Sequence, residues 1–349
     1  MIDLRHELEE ADLGVVFRCE NSALWTETYN RLSFRPVNYL ASTLDYQLAY
    51  QRGHGGEWHE LSCVLRSDNK AVAIWPLTIS ERDGVASLSS QGLPVMPPLF
   101  VPECPPTTLK KFTNECQRIA DRLAAQLNLT EWRSAPAFVD RAGLDKWHLT
   151  AMGQGARCSV RHELYIDLRL TLPEIKSGFR KSFRSLVTSG ERLWDVEIMR
   201  APGKAVVWEE FRLLHAEVAG RTTRSLESWQ SQLAALAADE GFLVVLRDAS
   251  GRMVGAGYFI CSADEGVYAV ATYDRSLFDK PLGHVVQYRA IEELQRRGCS
   301  WYRIGNRSFP GDEQEPNAKE LAIAAFKQGF ASHVFPSFLL THSVDAERA

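Results

Sequence analysis

The sequence of 349 residues predicts an α+β protein of two similar domains in tandem, each a mixed, mostly antiparallel sheet flanked by helices. Three observations predict it. Residues 241–305 read as strand, turn, strand, turn, strand, loop, helix, strand. The first half repeats that order of elements. Two hairpins are also worded alike: LSCVLRSDNKAVAIWPL and FLVVLRDASGRMVGAGYF both place Leu-Arg before a polar turn and a valine after it.

In the first half, YLASTLDYQLAYQ (39–51) has a helical spread of Leu, Tyr and Ala. Two strands follow about Ser67-Asp68-Asn69-Lys70, and then a third. The proline-rich run 93–106 is excluded from helix and central strand, since proline lacks the amide donor. Residues 107–128 form an amphipathic helix and 130–133 a short strand. The boundary is expected near MGQGARCS, with domains at 1–155 and 156–349.

The second half opens with a strand at 165–168. Thr171 then caps a helix, with Pro173 in its first turn and Glu174 three residues after the cap. That one helix is expected to carry Lys176, Arg180, Lys181, Arg184 and Arg192, with Arg180 and Arg184 on one face. Like charges at that spacing repel. Either a polyanion relieves the cost or the face is simply solvated. Arg221 and Arg224 lie between two further helices, the second capped by Ser225. Asp248-Ala249-Ser250-Gly251 closes a hairpin between strands at 242–247 and 253–261, and a third strand runs over 267–273. Lys280-Pro281-Leu282-Gly283 leads to a helix in which Val285, Tyr288, Ile291 and Leu294 share a face, with Gly298 as its stop. A strand at 301–305 and an acidic loop at 309–317 come next. A helix with Ile323 and Phe326 facing inward, a last strand and a frayed tail at 343–349 complete the chain.

Composition narrows the function. A net charge of −4 offers no global attraction to DNA, and no apolar run is long enough to span a bilayer. The acidic start MIDLRHELEEADLG lacks the apolar core of a signal peptide, so a cytoplasmic location is expected. Seven scattered cysteines without a CxxC pair, and nine histidines without HxH or HExxH spacing, suggest no metal.

The order of elements in 241–305 resembles the core of GNAT-type acyltransferases. There, backbone N–H groups at the start of the helix after the third strand hold the pyrophosphate of an acyl carrier. That points to Lys280 and Gly283, although a single glycine also fits a plain tight turn. The Asp-Leu strand, RKSFRSLVTSG, WYRIGN and the closing FKQGF together resemble the FemABX-like aminoacyltransferases, a family of two GNAT-like domains in tandem. The motifs lie mainly in 163–330, and no long charged helical insertion of the kind that forms a coiled-coil arm is present.

The resemblance implies transfer of an acyl or aminoacyl group to an amine of a nucleotide-sugar, polysaccharide or peptidoglycan precursor. The donor, aminoacyl-tRNA or acyl-CoA, would be a co-substrate, with no cofactor tightly bound. It implies Arg180, Lys181 and Arg184 near substrate phosphates and Lys327 at the transfer site, where a cation stabilises an oxyanion. Arg221 and Arg224 are further phosphate candidates, and Asp274, His284 and Glu320 are candidate bases. The first domain is expected to bind the acceptor and the second to hold the transfer site. The rival expectations are a plain acetyl-CoA-dependent N-acetyltransferase and a non-catalytic glycan- or protein-binding module.

Overall fold

The computed structural model describes residues 5–140 and 144–344. Its chain divides into two compact units, Met1–Val160 with Ser337–Ala349, and Arg161–Pro336.

The first unit begins with α1 (His6–Glu9), β1 (Val16–Phe17), α2 (Ser22–Asn30) and α3 (Ala41–Arg52). Five strands follow: β2 (Glu57–Glu60), β3 (Cys63–Ser67), β4 (Lys70–Trp75), β5 (Thr78–Arg82) and β6 (Val85–Ser89). Asp68 and Asn69 both take positive φ (49° and 61°), as do Asp83 and Gly84 (53° and 75°). Two-residue turns of this hand match the twist of the strands they join. The proline-rich run does contain a strand, the two-residue β7 (Leu99–Phe100). It lies at the edge of the order β1-β3-β4-β7, where a missing amide donor is tolerated. The helix α4 (Pro106–Gln126) buries Phe112, Cys116, Ile119 and Leu123 along one face, and β8 (Glu131–Ser134) and α5 (Lys146–Gly153) come after it.

The strand β9 (Arg157–Asp167) carries the chain into the second unit. The single helix expected after Thr171 is two, α6 (Leu172–Gly178) and α7 (Lys181–Leu193). Phe179 and Arg180 between them are extended (ψ 152° and 134°), because buried Phe179 turns into the core and the Arg180 amide donates to the Gly329 carbonyl at 2.8 Å. Thr171 and Glu174 form the expected capping box.

The remainder is β10 (Asp195–Met199), α8 (Ala205–Ala219), α9 (Leu226–Ala237), β11 (Gly241–Arg247), β12 (Met253–Cys261), β13 (Glu265–Tyr273), α10 (Leu282–Arg296), β14 (Trp301–Asn306), α11 (Ala318–Gln328) and β15 (His333–Ser343). The β11–β12 turn is held by Asp248 Oδ1, which accepts from the amides of Ser250 and Arg252. Strands of this unit lie in the order β10-β11-β12-β13-β14-β9, antiparallel except for β13 against β14. α7 and α10 cover one face through a core of Phe183, Val187, Val285, Val286, Ile291 and Leu294 against Phe242, Val244, Phe259 and Tyr302.

Residues 340–343 of β15 pair with β8, so the end of the chain belongs to the first unit. A division at 155/156 that keeps 337–349 in the second domain differs from this. Ile323 is exposed rather than inward-facing, because Ala324 and Phe326 take the packed side of α11. The tail from 345 onward lies outside the described residues.

Candidate functional site

Parallel strands β13 and β14 pair over three rungs, from Glu265↔Trp301 to Val267↔Arg303. Beyond them β13 continues along β12 to Tyr273 and β14 along β9 to Asn306, so the two strands part. A bulge between Arg303 and Gly305 shifts the register against β9, and Gly305 takes φ +143°, which favours glycine.

Lys327 of α11 reaches into the opening. A Cβ built on Gly305 would lie 2.5 Å from Lys327 Nζ, and Nζ stands 5.4 Å from the centre of the Tyr268 ring. Tyr268 is the first residue past the last rung on β13, and Gly305 the second on β14. Lys327 is half-buried, and burial lowers its pKa. Among the described residues its ammonium makes no hydrogen bond or ion pair, only the ring contact.

A row of tyrosines extends the site. The hydroxyls of Tyr268 and Tyr273 are 2.9 Å apart. Burial pushes Tyr268 up to about 12 and Tyr273 well above its ordinary value, so both remain protonated at neutral pH. Tyr302 donates to Gln287 Oε1 beneath them. At Gly283 a Cβ would stand 3.0 Å from Phe326 Cζ, a contact that the ring must shift by a few tenths of an ångström to admit, and 3.7 Å from Tyr273 Cζ, an ordinary contact.

Gly283 also opens α10. Pro281 at the N-cap brings no capping side chain, and the Leu282 amide turns back to the Lys280 carbonyl. The amides of Gly283 and His284 have no acceptor among the described residues, as expected for an uncapped helix start.

Of the three candidate bases, His284 and Asp274 are poor ones. The His284 ring lies 4.5 Å from that of Phe183, 5.1 Å from Phe326 and 6.0 Å from Phe330. Burial, and secondarily the charge of Arg180, push it down to about 4. The Asp274 carboxylate accepts from the Ser276 hydroxyl (2.6 Å) and from Arg252 (2.9 Å), which hold it below the usual carboxylate range. Glu320 accepts from the Asn317 amide at the start of α11.

The basic residues are scattered rather than gathered on one helical face. Arg180 caps α7 from outside, its guanidinium over the Phe183 ring at 4.9 Å and donating to the Ala325 carbonyl at 2.9 Å. Arg184 donates to the Phe179 carbonyl, while Lys181 is exposed and makes no partner contact among the described residues. Lys280 is exposed and paired with Asp279 at 3.0 Å.

Arg221 and Arg224 belong to the α8–α9 turn. Arg224 stacks on Trp229 and donates to Gln232. That turn serves the sheet face reached by Thr272, which donates to the Leu214 carbonyl, whereas Tyr273 beside it turns to the α10 side. The structure thus brings Arg180, Gly283, His284 and Lys327 together through α7, α10 and α11, and leaves Arg221 and Arg224 on the other face.

Residues 177–315 match the acetyltransferase (GNAT) domain family. The fold is a tandem GNAT fold. FemX superposes with a TM-score of 0.67 at 11% identity, covering 90% of this chain and 95% of its own. L-PGS from Bacillus licheniformis gives 0.59 at 12% (92% and 90%). The C-terminal domain of a putative lysylphosphatidylglycerol synthetase from Agrobacterium fabrum gives 0.58 at 14% (91% and 92%). No curated protein matches by sequence. The GNAT-domain match supports an acyltransferase, and no helix among the described residues is long and apolar enough to cross a membrane. Tyr268, Tyr273 and Gly305 were not legible as site residues. The one signal was a glycine inside a strand, which often marks a bulge.

Proposed function

We propose that the second unit transfers an activated acyl or aminoacyl group to an amine of a nucleotide-linked sugar or cell-envelope precursor. The observation that carries this reading is the unpaired ammonium of Lys327 between the parted strands. A preplaced cation there stabilises the oxyanion of the tetrahedral intermediate. The free amides of Gly283 and His284 suit a phosphate of the donor, and exposed Lys181 suits a phosphate of the acceptor. The donor arrives activated, so alignment supplies much of the rate. With Asp274 and His284 poor bases, the amine proton leaves through the substrate or solvent.

The neighbour named as a lysylphosphatidylglycerol synthetase favours an aminoacyl donor, charged tRNA, and an envelope acceptor. The family match to an acetyltransferase domain favours the second reading, an acetyl-CoA-dependent N-acetyltransferase. Under either reading the enzyme acts in the cytoplasm, where both carriers are available.

Calorimetric titration with acetyl-CoA, and separately with aminoacyl-tRNA, tests the proposal. One donor should bind, and Gly283→Leu should weaken it. Folded protein that binds neither contradicts the reading.

A further inference from the structure

Resting on that reading, we propose that Lys327 is itself an acylation site, modified by activated acyl esters or thioesters in the transfer cleft, and that its acylated form is inactive. A group placed to hold a carbonyl oxygen also lies beside the carbonyl carbon. Lys327 Nζ has no carboxylate on it: β14 offers the bare backbone of Gly305, and β13 offers the face of Tyr268. Nothing among the described residues ties the amine in its charged form, and burial shifts it toward the neutral, nucleophilic one.

The step balances with the donor alone. Neutral Nζ attacks the acyl carbon and a C–N amide bond forms. The acyl–sulfur or acyl–oxygen bond breaks, and the leaving thiolate or alkoxide takes the electron pair. The proton shed by Nζ passes to that leaving group. The product is a neutral amide without the cation that the oxyanion requires, so one turnover on the enzyme ends its activity. Competition between acceptor amine and Lys327 makes the resting enzyme sensitive to donor in the absence of acceptor.

The test treats the full chain at pH 7.5 with p-nitrophenyl acetate, a small activated ester that needs no donor site, and maps acetylation by peptide mass spectrometry over time. Lys327 should be acetylated severalfold faster than the exposed Lys181 and Lys319. Lys327→Arg, folded by circular dichroism, should lose the fast phase of p-nitrophenolate release. Labelling of Lys327 no faster than of Lys181 and Lys319 overturns the proposal. Parallel reactions with acetyl-CoA and charged tRNA separate it from the donor assignment. Fast labelling by the ester but by neither carrier sustains the reactive lysine and removes the carrier reading. Donor binding with an unlabelled Lys327 does the reverse.

Discussion

The two units share an order of elements but treat the same joint differently. In the second, the parallel strands β13 and β14 part after three rungs, and the gap holds an unpaired lysine. In the first, the chain after β6 meets β8 through one parallel bridge, Val95↔Ser134. That joint is filled. The Trp147 indole donates to Ser134 Oγ at 3.0 Å, and the same hydroxyl is hydrogen-bonded to His342 Nε2 at 2.9 Å. Trp132 stacks on His342 with ring centres 3.7 Å apart.

The helix starts are alike: α4 follows Pro105 and α10 follows Pro281, and neither has a capping side chain. One joint has its polar groups paired and buried, which serves stability. The other leaves the Lys327 ammonium without an ion pair among the described residues, which under the proposed reading serves chemistry.

Filling the open joint should break the contrast most severely. Gly305→Val puts side-chain atoms where Lys327 Nζ stands, at a backbone angle that disfavours them, and transfer should become undetectable while circular dichroism stays native. Activity near wild type would mean that Lys327 is not needed where it stands. Next in size, Gly283→Leu drives atoms into Phe326 and Tyr273 and should raise the donor Kd without altering the first unit. An unchanged Kd would place the donor elsewhere.

Opening the filled joint should have the opposite signature. Ser134→Ala leaves the Trp147 indole and His342 unpartnered and should cost about 1–3 kcal/mol of stability, read from the denaturation midpoint, with transfer kinetics intact. A kinetic defect without loss of stability would make that joint functional too.

The smallest effect is shared by both units. Burial pushes His342 and His284 down to about 4. Below their ordinary value of 6.5 the unfolded chain takes up protons that the folded chain refuses until about pH 4. Stability is therefore full above 6.5 and falls as pH drops through that window. Thermal scans from pH 7.5 to 4.5 should show this slope, reduced in His284→Phe; an equal slope in that variant would deny the histidine its part.

Much of this architecture was legible from local pattern. The hairpins announced themselves through Asp68-Asn69 and Asp248-Ala249-Ser250-Gly251, α10 through its apolar period, and the start of α6 through Thr171 and Glu174. The break at Phe179 and Arg180 was hidden because its cause, the Gly329 carbonyl, lies far along the chain. Arg180 read as a free cation for the same reason, since its partner is the Ala325 carbonyl, 145 residues away. Tyr268 and Tyr273 are five residues apart, a spacing that strict alternation puts on opposite faces, and only the bulge that leaves Ala269 unpaired in β13 brings their hydroxyls together. Lys327 was reachable through its motif, but its lack of a partner became visible only with Gly305 and Tyr268 beside it.

The central claim is that the ammonium of Lys327 stabilises the transfer step. The most direct measurement compares single-turnover discharge of whichever donor binds, by wild type and by Lys327→Met, in the presence of an amine acceptor and at saturating donor. The account predicts donor affinity within error of wild type and a discharge rate lower by about 10²–10³-fold, the usual cost of losing one oxyanion contact. Discharge at the wild-type rate by a folded Lys327→Met variant would contradict it.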